Sequence, residues 1–255
     1  MPAQFDLARL SVPQFAERFR SEMIPLSNTF SYFCASVPMS EDDLREYLQE
    51  PVAALPPKIA AALPKVSILL VPYLERGNGT EKGREKTSAD DYVSIEKPPE
   101  GRTSNSTQVQ LGDETVLAFA LKDQEVAEYH YRFYHLLATV IGEHWNDAVE
   151  ARYSRMLREE LSADAHGEVD EPSWRLKQSL KRTKNAAAAR AFRAYARQSF
   201  IDTLTLYMHG ICCDIDVETG PRQLPSPFIR KRLVALEELF PPPSGYAVFP
   251  EQVES

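Results

Sequence analysis

The sequence KVSILLVPYL, residues 65–74, decides the fold of this 255-residue chain. It is a continuous apolar run of strand length that contains β-branched residues, and such a run indicates a β-strand. Three later segments also have strand patterns, because DYVSIE (91–96) and STQVQL (106–111) alternate and ETVLAFAL (114–121) is again apolar. Together the four segments predict a small mixed β-sheet over about residues 65–121.

The segments before this sheet predict short helices. Ser11 and Pro13 can open one helix, and Ser40 followed by Asp43 approximates a capping box at the start of another. The segment PPKIAAALP (56–64) fits a brief helix bracketed by prolines.

The chain after the sheet predicts long helices. Residues 123–162 contain no proline and carry one apolar stripe at three- and four-residue steps, with Gly142 as the expected point of bending or breakage. A later alanine-rich helix is expected to end at Gly210, and residues 226–243 predict a final helix that three prolines stop.

The predicted fold class is therefore α+β, with short N-terminal helices, a small mixed β-sheet (about 65–121) and a predominantly helical C-terminal half. We expect a single domain over residues 1–255, since this length can bury one large core. The alternative is a subdivision into helices plus small sheet (1–121) and a helical half (122–255). The polar segment 75–91 is expected to be a surface loop or a lid.

Composition narrows the classes of function. The formal net charge of −8 argues against nucleic acids and anionic membranes as partners, because both need a cationic surface. No segment approaches the ~18 apolar residues of a membrane span, and the start of the chain lacks the apolar core of a signal peptide. Three cysteines are too few for a disulfide framework. We expect a soluble, cytoplasmic protein whose partner is an unidentified small molecule, peptide or protein, in an oligomeric state that the sequence leaves open.

The stretch YMHGICCDID, residues 207–216, contains metal-binding and redox residue types. The favoured interpretation is structural: Gly210 ends a helix, and ICCDIDV then alternates as a strand with Cys213 facing the core and Cys212 facing away. A zinc site usually needs a second pair of ligands elsewhere. A redox role needs an exposed thiolate of low pKa, and nothing nearby requires one.

Three arginines form a stripe on the alanine-rich helix, since Arg190, Arg193 and Arg197 step by three and four residues. The favoured interpretation is a solvated helix end whose charges pair with the acidic segment 159–171. The functional alternative is an anion- or carboxylate-binding pocket, because guanidinium groups suit such ligands.

The order of segments between residues 65 and 240 resembles that of zincin-like metallopeptidases of the gluzincin type. ETVLAFAL is followed by EYHYRFYHLL (128–137) and much later by SFIDTLTLYMHG (199–210). In that family a strand precedes a helix carrying H-E-x-x-H, and a later helix supplies an acidic third zinc ligand. The two histidines share a helix face, and the glutamate polarises the zinc-bound water.

The family motif can be aligned with this sequence residue by residue. The sequence then differs from the motif at the positions of a zinc ligand and of the general base. His135 falls on the second histidine, Tyr131 on the first, Arg132 on the glutamate base, and Asp202 near the downstream acid. At most two zinc ligands remain, His135 and Asp202, without a general base. The resemblance therefore implies a lost zinc site, with Arg132 placing positive charge where the metal would lie. The alternative for this helix face is packing on the sheet, with an ion pair between Glu128 and Arg132.

The predicted function is a non-catalytic binding role, in a metallopeptidase-like domain that has lost its zinc site and needs no cofactor. The candidate site consists of Tyr131, Arg132, His135 and Asp202. One alternative is a metal-dependent hydrolase with an atypical zinc site built on His135, Asp202 and one further ligand. The other is an anion- or carboxylate-binding protein that uses Arg190, Arg193 and Arg197.

Overall fold

The structure is a computed structural model that describes residues 10–77, 91–183, 187–213 and 222–249. The chain forms two compact units. The sheet unit consists of Met1–Glu50 and Leu63–Arg132, and the helical unit consists of Pro51–Ala62 and Phe133–Ser255. Most of the predicted surface loop at residues 75–91 lies outside the described residues.

The α+β fold class is confirmed, with strands in the first half of the chain and long helices in the second. The helices are α1 (Val12–Arg18), α2 (Glu41–Leu44), α3 (Glu50–Ala53), α4 (Pro57–Ala62), α5 (Val126–Glu143), α6 (Asp147–Ser162), α7 (Glu171–Arg182), α8 (Ala187–Cys212) and α9 (Ser226–Leu239). The strands are β1 (Ile24–Pro25), β2 (Phe30–Cys34), β3 (Lys65–Val71), β4 (Tyr73–Arg76), β5 (Asp91–Ser94), β6 (Thr103–Ser104), β7 (Ser106–Leu111) and β8 (Glu114–Ala120).

Five strands form a mixed sheet in the order β1-β2-β3-β8-β7. β2, β3 and β8 run parallel, whereas the edge strands β1 and β7 are antiparallel to their neighbours. β3 is buried at every position from Val66 to Val71. The central position of β3 in the sheet explains its unbroken apolar sequence, because a central parallel strand is covered on both faces. Val12 and Phe15 of α1 join the same buried core as Leu69 of β3.

Pro72 divides the predicted strand at residues 65–74 into β3 and β4. Proline has no N–H group for the ladder, so a strand does not continue through it in the middle of a sheet. β4 instead belongs to a second, antiparallel sheet in the order β5-β4-β6.

The main sheet extends further towards the N-terminus than the predicted residues 65–121. The sequence predicts only helices before residue 65, and this is wrong for β1 and β2. β2 has five residues and a weak local signal. It is held by its parallel pairing with β3, in which Phe30 lies opposite Val66 and Cys34 opposite Leu70.

Both predicted N-terminal helix caps are confirmed. Ser11 and Gln14 form a capping box at the start of α1. Ser40 Oγ accepts a hydrogen bond from Asp43 N (3.1 Å), and Asp43 Oδ2 accepts one from Ser40 N (2.8 Å). Each box satisfies amide groups that the first turn of a helix leaves without a partner.

The predicted break at Gly142 is wrong, because the helical segment 123–162 divides at residues 144–146 instead. Asn146 Oδ1 accepts a hydrogen bond from Val149 N (2.9 Å) and caps α6. Gly142 remains inside α5, where an added Cβ would lie 2.6 Å from Cγ1 of Ile201. The glycine therefore serves the close packing of α5 against α8.

The predicted helix end at Gly210 is also wrong, because α8 continues to Cys212 and Cys213 N still donates to His209 O (2.8 Å). Ile211 is buried, and its packing outweighs the roughly 1 kcal/mol that glycine costs inside a helix. Cys212 and Cys213 are both half-buried. The rest of the predicted strand, from residue 214, lies outside the described residues.

The described helices include none that combines the length and the apolar character needed to cross a membrane.

The connection between α6 and α7 folds against the chain that leads into α9. Glu168 N donates to Arg222 O (2.9 Å), and Leu224 N donates to Glu168 O (3.0 Å). Gly167 permits this approach, since its φ is +70° and an added Cβ would lie 2.1 Å from the backbone oxygen of Gln223.

We expect Gly167→Ala to lower the free energy of unfolding by about 2–5 kcal/mol, because it adds a backbone clash to left-handed strain. Gly245→Ala is the matched control. Gly245 has a φ of +88° and no atom within 4 Å of an added Cβ, so only the strain of about 1–2 kcal/mol applies. Urea unfolding measures both variants, and equal losses would contradict the clash.

Candidate functional site

Tyr131 and Arg132 of the predicted site lie on α5. The Tyr131 side chain is exposed. Arg132 Nη2 lies 2.8 Å from Glu128 Oε2, and Arg132 Nη1 donates to Gln124 Oε1. The ion pair between Glu128 and Arg132 that the sequence offered as an alternative is therefore present.

His135 and Asp202 have different partners. His135 Nδ1 lies 3.4 Å from Thr205 Oγ1. Asp202 is buried and accepts hydrogen bonds from Ser173 N (3.1 Å) and Gln198 Nε2 (2.8 Å). Burial raises the pKa of Asp202, although the Ser173 and Gln198 hydrogen bonds oppose this rise.

The metal-ligand prediction for these two residues stays a prediction. Among the described residues, neither His135 nor Asp202 belongs to a group of three His, Cys, Asp or Glu side chains with ligand atoms within 4.8 Å of one another. A tetrahedral zinc site with three protein ligands would need such a group.

Arg190, Arg193 and Arg197 lie on the exposed face of α8. Arg193 Nε is 4.0 Å from Glu150 Oε1, and Arg197 Nη2 is 4.0 Å from Glu143 Oε1. Both partners lie outside the segment 159–171, so the predicted pairing with that segment is wrong for these two arginines. The solvated character of this helix end agrees with the structure.

Four charged side chains meet inside the helical unit, and we call them the buried ion cluster. They are Glu160 of α6, Glu168 of the α6–α7 connection, Lys177 of α7 and Arg232 of α9. Each side chain is 0–1% exposed. Arg232 Nη2 lies 2.6 Å from Glu160 Oε2 and Arg232 Nη1 lies 2.8 Å from Glu168 Oε2, while Lys177 Nζ lies 3.1 Å from Glu168 Oε1.

Neutral groups complete the hydrogen bonding of the buried ion cluster. Tyr195 OH donates to Glu168 Oε1, and Ser199 Oγ accepts from Arg232 Nη1 (2.8 Å). Lys177 Nζ also donates to Gly167 O (2.8 Å). Two acids and two bases sum to zero charge, and such partners are what makes burial of ions tolerable.

The electrostatics of the cluster follow from burial and from the paired charges. Burial by itself would raise the pKa of Glu168, but the charge and hydrogen bonds of Arg232, together with Lys177, outweigh it and hold that pKa below its ordinary value. Burial lowers the pKa of Lys177, against the opposing charge of Glu168. Because these side chains are buried, solutes do not reach them. The cluster therefore stabilises the packing of the helices and is not a binding site.

Sequence reasoning missed the buried ion cluster, although one signal was present. Arg232 lies on the apolar stripe of α9 that Ile229, Leu233 and Leu236 form, and all four are buried. A charge placed on a core-facing stripe indicates a buried partner.

A cavity of about 530 Å³ lies between α8, the first turns of α9 and the C-terminal residues 248–249, and we call it the tail cavity. Its apolar walls include Leu206, Leu233 and Val248. Arg230 also lines it, and Arg230 Cζ lies 4.4 Å from the centre of the Phe249 ring. The cavity combines apolar surface with one cationic group.

No family model, curated protein or solved structure matches this chain. The resemblance to gluzincin-type metallopeptidases therefore stays a prediction, and the function has to be argued from the chain's own residues.

We expect the stabilising effect of Glu168 to depend on pH. Its folded-state pKa lies below the ordinary 4.5, so its contribution is present above about pH 4.5 and is lost as the pH falls through the lower folded-state value. Glu168→Gln should cost about 3 kcal/mol of unfolding free energy at pH 7. The difference from the wild type should shrink as the pH falls below 4.5.

Urea unfolding between pH 7 and pH 3 measures this difference. Glu171→Gln is the control, because Glu171 is an exposed partner of Arg175 at 2.9 Å and should stay close to the wild type throughout. A Glu168→Gln difference that keeps its size down to pH 3 would contradict the assigned ion pairing.

Proposed function

We propose that this chain is a non-catalytic binding protein whose ligand is a small amphipathic carboxylate held in the tail cavity. The observation that carries the proposal is the cavity itself, with about 530 Å³ of space, apolar walls and a guanidinium group among its lining residues. Ligand sites commonly have a volume of roughly 300–1,000 Å³ and a few polar groups that orient an apolar ligand.

The positive charge at the cavity favours an acidic group on the ligand. Arg230 lies in the first turns of α9, and Ser226 and Pro227 at the start of that helix also line the cavity. The N-terminal end of a helix carries partial positive charge. The Arg230 guanidinium lies over the Phe249 ring, with Cζ 4.4 Å from the ring centre, and guanidinium groups match the planar geometry of carboxylates.

The apolar walls favour an aliphatic or aromatic body on the ligand. Leu206 comes from α8, Leu233 from α9 and Val248 from the C-terminal segment, so three parts of the chain enclose the space. Burying apolar ligand surface there contributes roughly 25 cal/mol per Å². The proposal keeps the predicted carboxylate ligand but assigns it to Arg230 instead of Arg190, Arg193 and Arg197.

The buried ionisable groups support a binding role over a catalytic one, because they are already paired with other protein groups. Glu168 and Lys177 of the buried ion cluster are bonded to each other and closed to solvent. Asp202 accepts hydrogen bonds from Ser173 N and Gln198 Nε2. A general acid or base must reach the substrate, and these buried groups do not line the tail cavity.

We expect decanoate to bind the purified protein saturably, as measured by isothermal titration calorimetry. Arg230→Gln should weaken decanoate binding about tenfold, because it removes a charge-assisted hydrogen bond worth ~1.5 kcal/mol. The same variant should leave decanol binding nearly unchanged, since decanol has no charge to lose. Leu206→Trp should abolish binding of both probes by filling the cavity.

Lys231→Gln is the matched control, because Lys231 is the next residue on α9 and pairs with Glu159 instead of lining this cavity. It should bind decanoate as the wild type does. Absence of saturable binding would overturn the proposal, and so would equal weakening by Arg230→Gln and Lys231→Gln.

A further inference from the structure

A second cavity of about 310 Å³ lies between α6 and α8 in the helical unit. On α6 it is lined by Glu150, Ser154 and Arg158, which follow one another at four-residue steps and so share one helix face. On α8 it is lined by Phe192 and Arg193. We call it the arginine cavity.

The Ser154 hydroxyl is the unusual feature of this cavity. Several other hydroxyls on the long helices donate to the carbonyl oxygen four residues earlier, as Thr139 does to His135 O (2.9 Å) and Ser162 to Arg158 O (2.8 Å). Ser154 is only 7% exposed, yet within the described part of the chain its hydroxyl makes no hydrogen bond. Ser154 lines the cavity, so its hydroxyl can donate a hydrogen bond to a ligand there.

Two guanidinium groups line the same cavity as this hydroxyl. Arg158 Cζ lies 4.4 Å from the centre of the Phe192 ring, and among the described residues no carboxylate forms an ion pair with it. Arg193 approaches Glu150 only to 4.0 Å, and its side chain is 79% exposed. The cavity therefore carries a local charge of about +1, with two arginines and one glutamate, in a chain of formal net charge −8.

We infer that the arginine cavity binds the phosphate group of a small phosphomonoester. Two guanidinium groups from facing helices can donate to different oxygens of one tetrahedral anion, and the hydroxyl of Ser154, which also lines the cavity, supplies a further donor. The volume of about 310 Å³ exceeds the need of a free phosphate ion, so the cavity also has room for the organic part. The half-buried Phe192 ring, which lines the cavity, offers that part an apolar contact.

This inference rests on residues other than those of the tail cavity, so the two proposals fail independently. The test is titration calorimetry of the full chain at constant ionic strength, with inorganic phosphate, phenyl phosphate and acetate as probes. Both phosphates should bind saturably at one site, with phenyl phosphate tighter, and acetate should not. Leu206→Trp, which blocks the tail cavity, should leave phosphate binding unchanged.

Variants distinguish phosphate binding inside the cavity from general electrostatic attraction of the anion to the protein surface. Arg158→Gln and Arg193→Gln should each weaken phenyl phosphate binding about five- to tenfold, and Ser154→Ala about threefold. Glu150→Gln should tighten it about two- to threefold, because it removes a like charge. Arg155→Gln is the control, since Arg155 lies on α6 outside the cavity, and it should change nothing.

Two results would overturn the inference. One is the absence of saturable phosphate binding. The other is an Arg155→Gln variant that weakens binding as much as Arg158→Gln does, because this would mean that the general charge of α6 attracts the anion and not the cavity.

Discussion

The side chain on which the helical unit depends is the buried guanidinium of Arg232. Removing an ion from water costs several kcal/mol, and this cost is offset only when the remaining donors and acceptors are satisfied. Arg232 meets this condition, because its Nε and Nη2 atoms donate to Glu160 and its Nη1 atom donates to Glu168 and Ser199. The geometry permits one relative placement of α6, the α6–α7 connection and α9, and Lys177 adds α7 to the same arrangement.

Both proposed binding sites depend on this cluster, although neither contains a member of it. Tyr195 and Ser199 tie α8 to Glu168, so the cluster fixes α8 relative to α9 and to α6. Those helix pairs form walls of the tail cavity and of the arginine cavity. The charges that stabilise the unit are thus kept apart from the charges of Arg230 and Arg158, which line the two cavities, as a rigid framework with separately proposed binding sites requires.

The features that the sequence predicted correctly are local ones. β7 has the predicted bounds and β8 nearly so, the helix predicted after Ser11 begins there, and the predicted capping box of Ser40 and Asp43 forms, because each depends on residues a few positions apart. The failures come from distant contacts. β2 exists through pairing with β3, and α8 passes Gly210 because Ile211 packs in the core. The tail cavity needs Val248 to fold back near α9, and no local pattern indicates that return.

Arg132 and Arg232 show the same difference between local interactions and contacts with distant residues. Arg132 forms the helical ion pair that its spacing indicates. Arg232 was not singled out from the sequence, although its place on an apolar stripe indicates burial.

The most direct measurement compares Arg232→Met with Lys231→Met by urea unfolding at pH 7. The two variants remove neighbouring positive charges from α9, one fully buried and one paired with Glu159 on the surface. Arg232→Met should lose about 3–5 kcal/mol of unfolding free energy, because it leaves two buried carboxylates without their main partner, whereas Lys231→Met should change little. Similar losses in both variants, or a more stable Arg232→Met protein, would contradict the view that this ion cluster holds the helical unit together.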